Sequence, residues 1–450
     1  MNRKLIVSKF GGTSMGSYEA MLRSAQVALE FDSFIVVVSA TSGTTDQLIH
    51  LAQLASSSQM DECKALMKEI ELRHRTILME AGNTASTLQI LEGFLTELDL
   101  LVQNIALLRE LTPRANDHIL SLGERMSSLI FKDVMARTIP GKEVRLLDAR
   151  SIIRTDSHFG KASPLIEDIA KNAKEKLDIS ENIVYVTQGF IGADREGNTT
   201  ILGRGGSDFS AALMAESIGA HCLQIWTDVT GVASTDPRIV KSARIIPELS
   251  YAEAAEMAQY GAKILHPATI APAVRREIPV FVGSSITPHE GGTWIKKTID
   301  QKPTVRAITK RSKQALVTVT TPHMFNAFGF MSEIFGIFAK HRISVDCVTT
   351  SEIAVAITVD MATLGHRKLI EELKEVAKVE IDEGYELISL IGNDLHIRPS
   401  IAKDIFSTIE GINIRMMSLG ASPYNFNFLV KETDSPNVIL KLHQRLIEGV

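Results

Sequence analysis

The chain has 450 residues, too many for one small module and enough for two or three domains at about 150 residues each. Its 48 Lys and Arg stand against 53 Asp and Glu, a formal charge of -5, so nothing in the overall balance favours nucleic acid, and an anionic ligand must be held by locally placed cations. A composition 45% hydrophobic and 22% charged excludes a disordered or fibrous chain, and three scattered cysteines without a CxxC pair argue against a disulfide framework or a cysteine zinc site.

The first apolar run, Leu5 to Val7, is cut short by Lys9, too soon for a signal-peptide core, and no stretch approaches the ~18 apolar residues of a membrane span. The expectation is a cytoplasmic protein with no membrane and no nucleic-acid partner. Leu5–Phe10 reads as a strand, Gly11-Gly-Thr-Ser14 as a turn, and Met21, Leu22, Ala25 and Ala28 as the apolar face of a helix. Phe34–Val38 is a buried parallel-type strand that delivers the small polar loop Ser39–Thr45. From Leu48 to Arg137 the pattern is helical, with breaks at Gly82-Asn83 and Leu111-Thr-Pro113. Strands return at Val144–Leu147 and Ile183–Val186. After the turn Ala193–Asn198, a short strand enters Gly203-Arg-Gly-Gly-Ser-Asp208, and a small-residue helix runs from Phe209 to Gly219. Leu223–Trp226 and Pro279–Gly283 complete the strands before the polar stretch Asp300–Pro303, which marks a boundary.

Beyond Thr304 the chain contains a weak internal repeat. Glu333-Ile-Phe with Ile343–Asp346 parallels Asp404-Ile-Phe with Ile412–Arg415, the latter segment of each pair read as a strand. Each copy has flanking strands at Leu316–Val319 and Ala354–Val359, or at Leu387–Leu390 and Asn427–Val430. Two small βαββ-type modules with a helix on one sheet face follow from that pattern.

Two glycine turns carry the chemistry. Backbone N–H groups aimed at one point from glycines between a strand and a helix bind phosphate without side-chain obstruction. Gly11-Gly-Thr-Ser14 is not a Walker A loop, because Ser17 stands where that motif requires Lys. Gly203–Asp208 is not G-x-G-x-x-G, because Asp208 takes the third glycine's place. Lys9, closing a buried strand before a glycine pair, suits an ammonium facing a phosphate at a strand's carboxyl end. Arg204, flanked by glycines, can fork onto a carboxylate. Asp208 fits a helix N-cap, an organiser of the cations and donors at the phosphates, or both at once. Thr227-Asp228 follows a buried strand, Lys263 lies between apolar residues after Gly261, and no His or Cys stands out as a catalyst.

Lys9-Phe-Gly-Gly-Thr-Ser14, Gly203–Asp208, Trp226–Val229 with Thr235-Asp-Pro-Arg238, and Gly261–Pro267, in that order, closely resemble the aspartate kinases of the amino acid kinase family. The resemblance spans essentially the whole chain and is greatest to the monofunctional, lysine-inhibited class. It implies an α/β amino acid kinase fold, a mostly parallel sheet between helices over residues 1–300. Two α+β, ferredoxin-like ACT modules would follow at 304–384 and 385–450, with their interleaving left open. The implied activity is transfer of the ATP γ-phosphoryl group to the side chain of L-aspartate with Mg2+, the first step toward lysine, threonine and methionine. Lys9, Asp208 and Lys263 would be catalytic. ATP would be held by Lys9, Gly11, Gly12, Thr227, Asp228, Arg238 and Lys263. Aspartate would be held by Ser39, Thr45, Glu124, Arg204 and Ser207, with Glu124 on its ammonium and Arg204 on its α-carboxylate. Met324, Gly329, Phe330, Asp346, Ser351 and Glu352 match positions around the L-lysine effector of related enzymes, with Asp346 as partner for the ammonium, and a homodimer through the ACT modules is the default. Two departures stand out: Ala233 where close relatives carry an aromatic residue near the base, and Ala327 where a close relative has serine. Alternatives are an amino acid kinase fold enzyme acting on another acid, which Glu124 opposes if that acid's nitrogen is acetylated, and an amino-acid sensor with an inactive kinase domain.

Overall fold

The computed structural model describes residues 4–82, 84–139, 141–180, 182–262, 265, 267–321 and 328–449. The chain forms two compact units, one of Met1–Val232, Pro247–Tyr251 and Leu265–Thr298, the other of Ala233–Ile246, Ala252–Ile264 and Ile299–Val450. Lys263 and Met324 lie outside the described residues, as does Ala327.

The first unit opens with β1 (Ile6–Phe10), α1 (Tyr18–Glu30) and β2 (Ile35–Val38), then runs through α2 (Thr44–Ser56), α3 (Met60–Glu80), α4 (Ala85–Leu108) and α5 (Pro113–Thr138). The Leu111-Thr-Pro break is the start of α5: Thr112 caps it by accepting the Ala115 N–H at 3.1 Å, and Pro113 takes the first position, where no N–H is needed. Next come β3 (Glu143–Leu147), α6 (Ile166–Lys176), β4 (Ile183–Gln188), the hairpin β5 (Ile191–Ala193) and β6 (Thr199–Ile201), α7 (Gly206–Ile218), β7 (Cys222–Thr227) and β8 (Glu248–Ser250). Helix α8 (Tyr251–Gln259) falls in the second unit save for its first residue, and α9 (Pro267–Arg275), β9 (Val280–Ser284) and β10 (Thr293–Lys296) return to the first.

Eight strands form one sheet in the order β3-β4-β2-β1-β7-β9-β10-β8. Pairing is parallel from β3 to β9, and β10 then runs antiparallel to β9. The four residues of β2 are all buried, which is why that strand is a continuous β-branched run and not an alternation. Strands β8 and β10, short and at one edge, lack that signature and were not foreseen. Beneath the carboxyl ends of β1 and β7, the fully buried Trp226 stacks on Phe10 with ring centroids 6.4 Å apart. Among the described residues no helix is long and apolar enough to cross a membrane.

The second unit continues with β11 (Val305–Thr320), α10 (Phe330–Lys340), β12 (Val348–Thr350), β13 (Ala354–Asp360), α11 (Arg367–Val376), β14 (Lys378–Gly392), α12 (Ile401–Thr408), β15 (Met416–Leu419), β16 (Asn425–Lys431) and α13 (Ser435–His443). Its six strands form an antiparallel sheet ordered β12-β13-β11-β14-β16-β15. The expected strands at Ile343–Asp346 and Ile412–Arg415 lie later in the chain, at β12 and β15. The β-branched runs after the two helices first serve as extended connections whose Ile343, Val345, Ile412 and Ile414 pack against the cores. Each repeat also carries a second helix, α11 or α13.

The two repeats share strands. Gln314–Thr320 pairs with Tyr385–Lys378, and Ala315, Val317 and Val319 lie in one core with Ile334, Phe338, Leu369 and Leu373. Val305–Arg311 pairs instead with Gly392–Leu387, and Val305 and Ile308 join a separate core with Ile405, Phe428 and Leu442. The first repeat is therefore nested inside the second. Where the halves meet, the register shifts between Arg311 and Gln314, and Lys313 and Gly384 take positive φ of 56° and 76°. Phe428 is fully buried, so Phe428→Ala is expected to cost about 3–5 kcal/mol. Hydrogen exchange checks this: amides of β14 and β16 should exchange faster while those of β1 and β2 do not change.

Candidate active site

Parallel strands bring their carboxyl ends to one edge, where the loops that follow can converge on a ligand. Here β1 lies between β2 and β7, with Lys9 level with Val37 and Ile225. Gly11-Gly12 therefore leaves the sheet beside Ser39 and Thr227, and the Ser39 N–H donates to the Phe10 carbonyl at 3.2 Å. From the other direction, β6 enters the second glycine turn. Gly205, at φ 72°, caps α7, and a Cβ there would stand 2.8 Å from Thr269 Cγ2, so both backbone and space call for glycine. Asp208 is thus not the N-cap that its sequence position allowed. It occupies the first turn of α7, and its carboxylate meets Lys9 Nζ at 2.6 Å, both groups largely buried. Its observed partner is the Lys9 ammonium.

These turns line one cavity of about 800 Å³. Lys9, Gly11, Gly12, Ser39, Thr45, Glu124, Arg204, Ser207, Asp208, Thr227 and Asp228 all border it. Arg238 does not line it. That residue belongs to the second unit, where its exposed guanidinium forks onto Asp236 at 2.7–3.2 Å. Ala233 is in the same unit, bridged to Ile245.

Glu124 shows how the helical region serves the cavity. Gly123 lets α5 approach the loop after β2, since a Cβ there would lie 3.0 Å from the Ala40 methyl and 3.2 Å from Leu48. The Glu124 carboxylate then sits beside Ala40, whose N–H donates to Oε1 at 3.3 Å, while Oε2 is buried with no hydrogen-bond partner. Burial pushes this carboxyl up to about 8. From the opposite side α3 steadies the same loop. Arg73 donates to the Ser42 carbonyl at 3.1 Å and to Thr44 Oγ1 at 2.9 Å, and buried His74, pushed down to about 4 and so neutral, lies 3.4 Å from Thr41 Oγ1. Arg204 is exposed at the mouth, in no ion pair among the described residues.

The sequence reading missed several wall residues, among them Thr41, Gly160, Phe190 and Ile201. Phe190 has a φ of 69°, an unusual conformation for a bulky residue, and its ring edge fills the space where a Gly206 side chain would stand. The Gly189-Phe190 pair directly after a buried strand is the only local hint of it. Of the residues expected around an effector, Gly329 caps α10 at φ 88°, Phe330 packs against the first repeat's core, and Ser351 and Glu352 are exposed after β12. The Asp346 residue is half-buried but its side chain is only 3% exposed, with Oδ1 on Arg311 Nη1 at 2.6 Å and Oδ2 buried without a hydrogen-bond partner. Burial raises its carboxyl to about 6 even with that guanidinium beside it.

Comparison with known proteins gives the same assignment along the whole chain. Residues 4–284 match the amino acid kinase family and residues 388–446 match an ACT domain. Over 466 aligned residues the chain is 41% identical to lysine-sensitive aspartokinase 3 of Escherichia coli strain K12, covering 99% of this chain and all of that protein. Two solved structures of E. coli aspartokinase III superpose with a TM-score of 0.85 each at 41% identity. One is a T-state complex with lysine and aspartate, covering 99% of this chain, and the other an R-state complex with aspartate and ADP, covering 98%; each match takes in 100% of the solved chain. The chain belongs to the amino acid kinase family. Its full-length likeness places it among the aspartokinases, kinases with ACT domains.

The buried carboxyl of Glu124 has a consequence for stability. The folded chain keeps a proton there between about pH 4.5 and 8 that the unfolded chain releases, so stability from this group is lost as pH rises through that window. Glu124→Gln retains an acceptor for Ala40 and has no proton to release. Its melting temperature is expected to exceed that of the wild type by a margin that widens from pH 5 to pH 8, measured by thermal denaturation in matched buffers.

Proposed function

We propose that this enzyme transfers the γ-phosphoryl group of Mg-ATP to the side-chain carboxylate of L-aspartate, giving 4-phospho-L-aspartate and ADP. The observation that carries the reading is the Lys9–Asp208 contact, which joins two glycine turns at the wall of a cavity also lined by Glu124 and Arg204. Aspartate's side chain, with an ordinary pKa of about 3.9, is already an anion at neutral pH, so the chemistry needs no general base. It needs positioning, and relief of the repulsion between a carboxylate and a polyphosphate.

The residues divide that work by charge. Lys9 and the Gly11 and Gly12 amides face the phosphates, while Asp208 holds the Lys9 ammonium in place. The family resemblance gives the transferring group to Lys263 and the nucleotide to Thr227, Asp228 and Arg238; of the last three, Thr227 and Asp228 line the cavity and Arg238 does not. Magnesium usually takes one or two protein carboxylates and completes its shell with phosphates and water; Asp208 and Asp228, both on the cavity wall, suit that habit. Bound with the nucleotide, the ion neutralises charge on the phosphate oxygens. At the acceptor end, the bare Oε2 of Glu124 fits the α-ammonium, and Arg204 fits the α-carboxylate, with Ser39, Thr45 and Ser207 around them. An acetylated acceptor has no charge for Glu124 to meet.

Regulation belongs to the second unit. L-lysine binding to the first ACT module, its ammonium on the bare Oδ2 of Asp346, would shift the population toward a less active arrangement, and the ACT modules would pair two copies into a homodimer. A cytoplasmic setting belongs to the same proposal; among the described residues no helix is long and apolar enough to cross a membrane.

Hydroxamate trapping of the acyl phosphate tests the reaction: signal is expected with aspartate and Mg-ATP, and signal with another acid alone would overturn the assignment. Lys9→Ala is expected to lower kcat by at least about a hundredfold and, because it leaves the largely buried Asp208 carboxylate unpaired, to lower the melting temperature as well, so turnover is compared at a temperature where circular dichroism shows both proteins folded. Asp346→Ala is expected to abolish inhibition by lysine while turnover persists, measured with lysine, threonine and methionine added singly; unchanged lysine inhibition would remove Asp346 from the effector site.

A further inference from the structure

Asp117 lies on α5 seven residues before Glu124, two helical turns away on the same face and about 10 Å along the axis. It is fully buried and does not line the cavity. Its carboxylate is spent entirely on two main-chain donors from different segments. The Gly160 N–H is shared between Oδ1 and Oδ2 at 2.9 and 3.0 Å, and the Ile201 N–H reaches Oδ2 at 3.0 Å. Both donors belong to cavity-wall residues. The two segments are also tied to each other, because the Ala162 N–H donates to the Ile201 carbonyl at 2.9 Å and the Lys161 side chain lies against Gly203. Three residues past Ile201 is Arg204.

We infer that Asp117 is a positioning residue for the acceptor substrate: it fixes the Gly160 loop and β6 to α5, and so sets the distance from Glu124 to the turn that carries Arg204. One rigid helix then governs both ends of the acceptor, Glu124 directly at the ammonium end and Asp117, through two backbone amides, at the carboxylate end. A carboxylate suits this task better than an amide or hydroxyl, since it accepts from two separate N–H groups and makes the stronger, charge-assisted bonds. Among the described residues no cation is paired with it, and burial pushes its carboxyl up to about 6, a cost that surface packing alone would not maintain.

The inference rests on Arg204 meeting the acceptor, and steady-state kinetics of the full chain separate the two. Aspartate and Mg-ATP are varied in turn for wild type, Asp117→Asn and Asp117→Ala, with hydroxamate readout. Asp117→Ala is expected to raise the aspartate KM about tenfold, with the ATP KM within about twofold of wild type and kcat within about threefold. Asp117→Asn, which can still turn one oxygen toward both donors, is expected to raise the aspartate KM by only about threefold. Hydrogen exchange at Gly160 and Ile201 should accelerate in the same order. An aspartate KM that does not move, or KM values for both substrates that rise together, overturns the inference. Should Asp117→Ala fail to fold, Asp117→Asn decides on the same criteria. A wild type that forms no acyl phosphate from aspartate overturns the functional reading instead, which the wild-type arm alone reveals.

Discussion

An ammonium and a carboxylate 2.6 Å apart hold the catalytic unit's two glycine turns in one place. Lys9 lies one residue before the end of a strand at the middle of the sheet, and Asp208 lies in the first turn of a helix that begins after a different strand. Neither turn alone encloses anything. Their ion pair is largely withdrawn from water, where removing one partner leaves the other as an uncompensated charge. The cavity, its amide donors and the placement of Arg204 all follow from that junction, and the parallel order β2-β1-β7 is what carries Lys9 to it.

The two candidate ligand sites rely on a common device. The side-chain carboxylates of Glu124 in the first unit and Asp346 in the second are each withdrawn from water, each keep one oxygen without a hydrogen bond, and each are pushed upward in pKa by burial. A satisfied, solvated carboxylate would be more comfortable for the fold. An unsatisfied one favours an arriving ammonium, because the ligand supplies what the protein withholds. They differ in what stands on the other oxygen: a backbone amide for Glu124, and the Arg311 guanidinium for Asp346.

Much of the catalytic unit was legible in the sequence because its signals are local. Strand, glycines and helix start lie within ten residues of Lys9 and again of Arg204, so their spacing exposes them directly. Glu124 was readable only through resemblance, since a glutamate in Ser121-Leu-Gly-Glu-Arg125 looks like any surface helix position until α5 is seen pressed against Ala40. Asp117 was invisible for a related reason: its partners are main-chain amides far along the chain, which leave no side-chain pattern. Phe190 escaped because a positive φ at a bulky residue breaks the usual rule instead of following it. In the second unit, periodicity located the strands of β11 and β14 but not their division between two cores, which depends on pairing between distant segments. The strands expected at Ile343–Asp346 and Ile412–Arg415 fall instead at β12 and β15, because the β-branched residues of the expected segments, which favour a ladder by composition, serve as core-packing connections.

That division has a mechanical meaning. Because β11 and β14 pass without interruption through both repeats, no flexible tether lies between the halves of the regulatory sheet, and neither half can tilt on its own. The pairing is irregular between Val305 and Ala307 and again from Arg311 to Leu316; the second irregularity, with Lys313 and Gly384 at positive φ, falls where the two cores meet, and Arg311, which grips Asp346, stands at its edge. The Arg311–Asp346 pair therefore sits beside the stretch of backbone that both repeats share, and not at a point remote from either core.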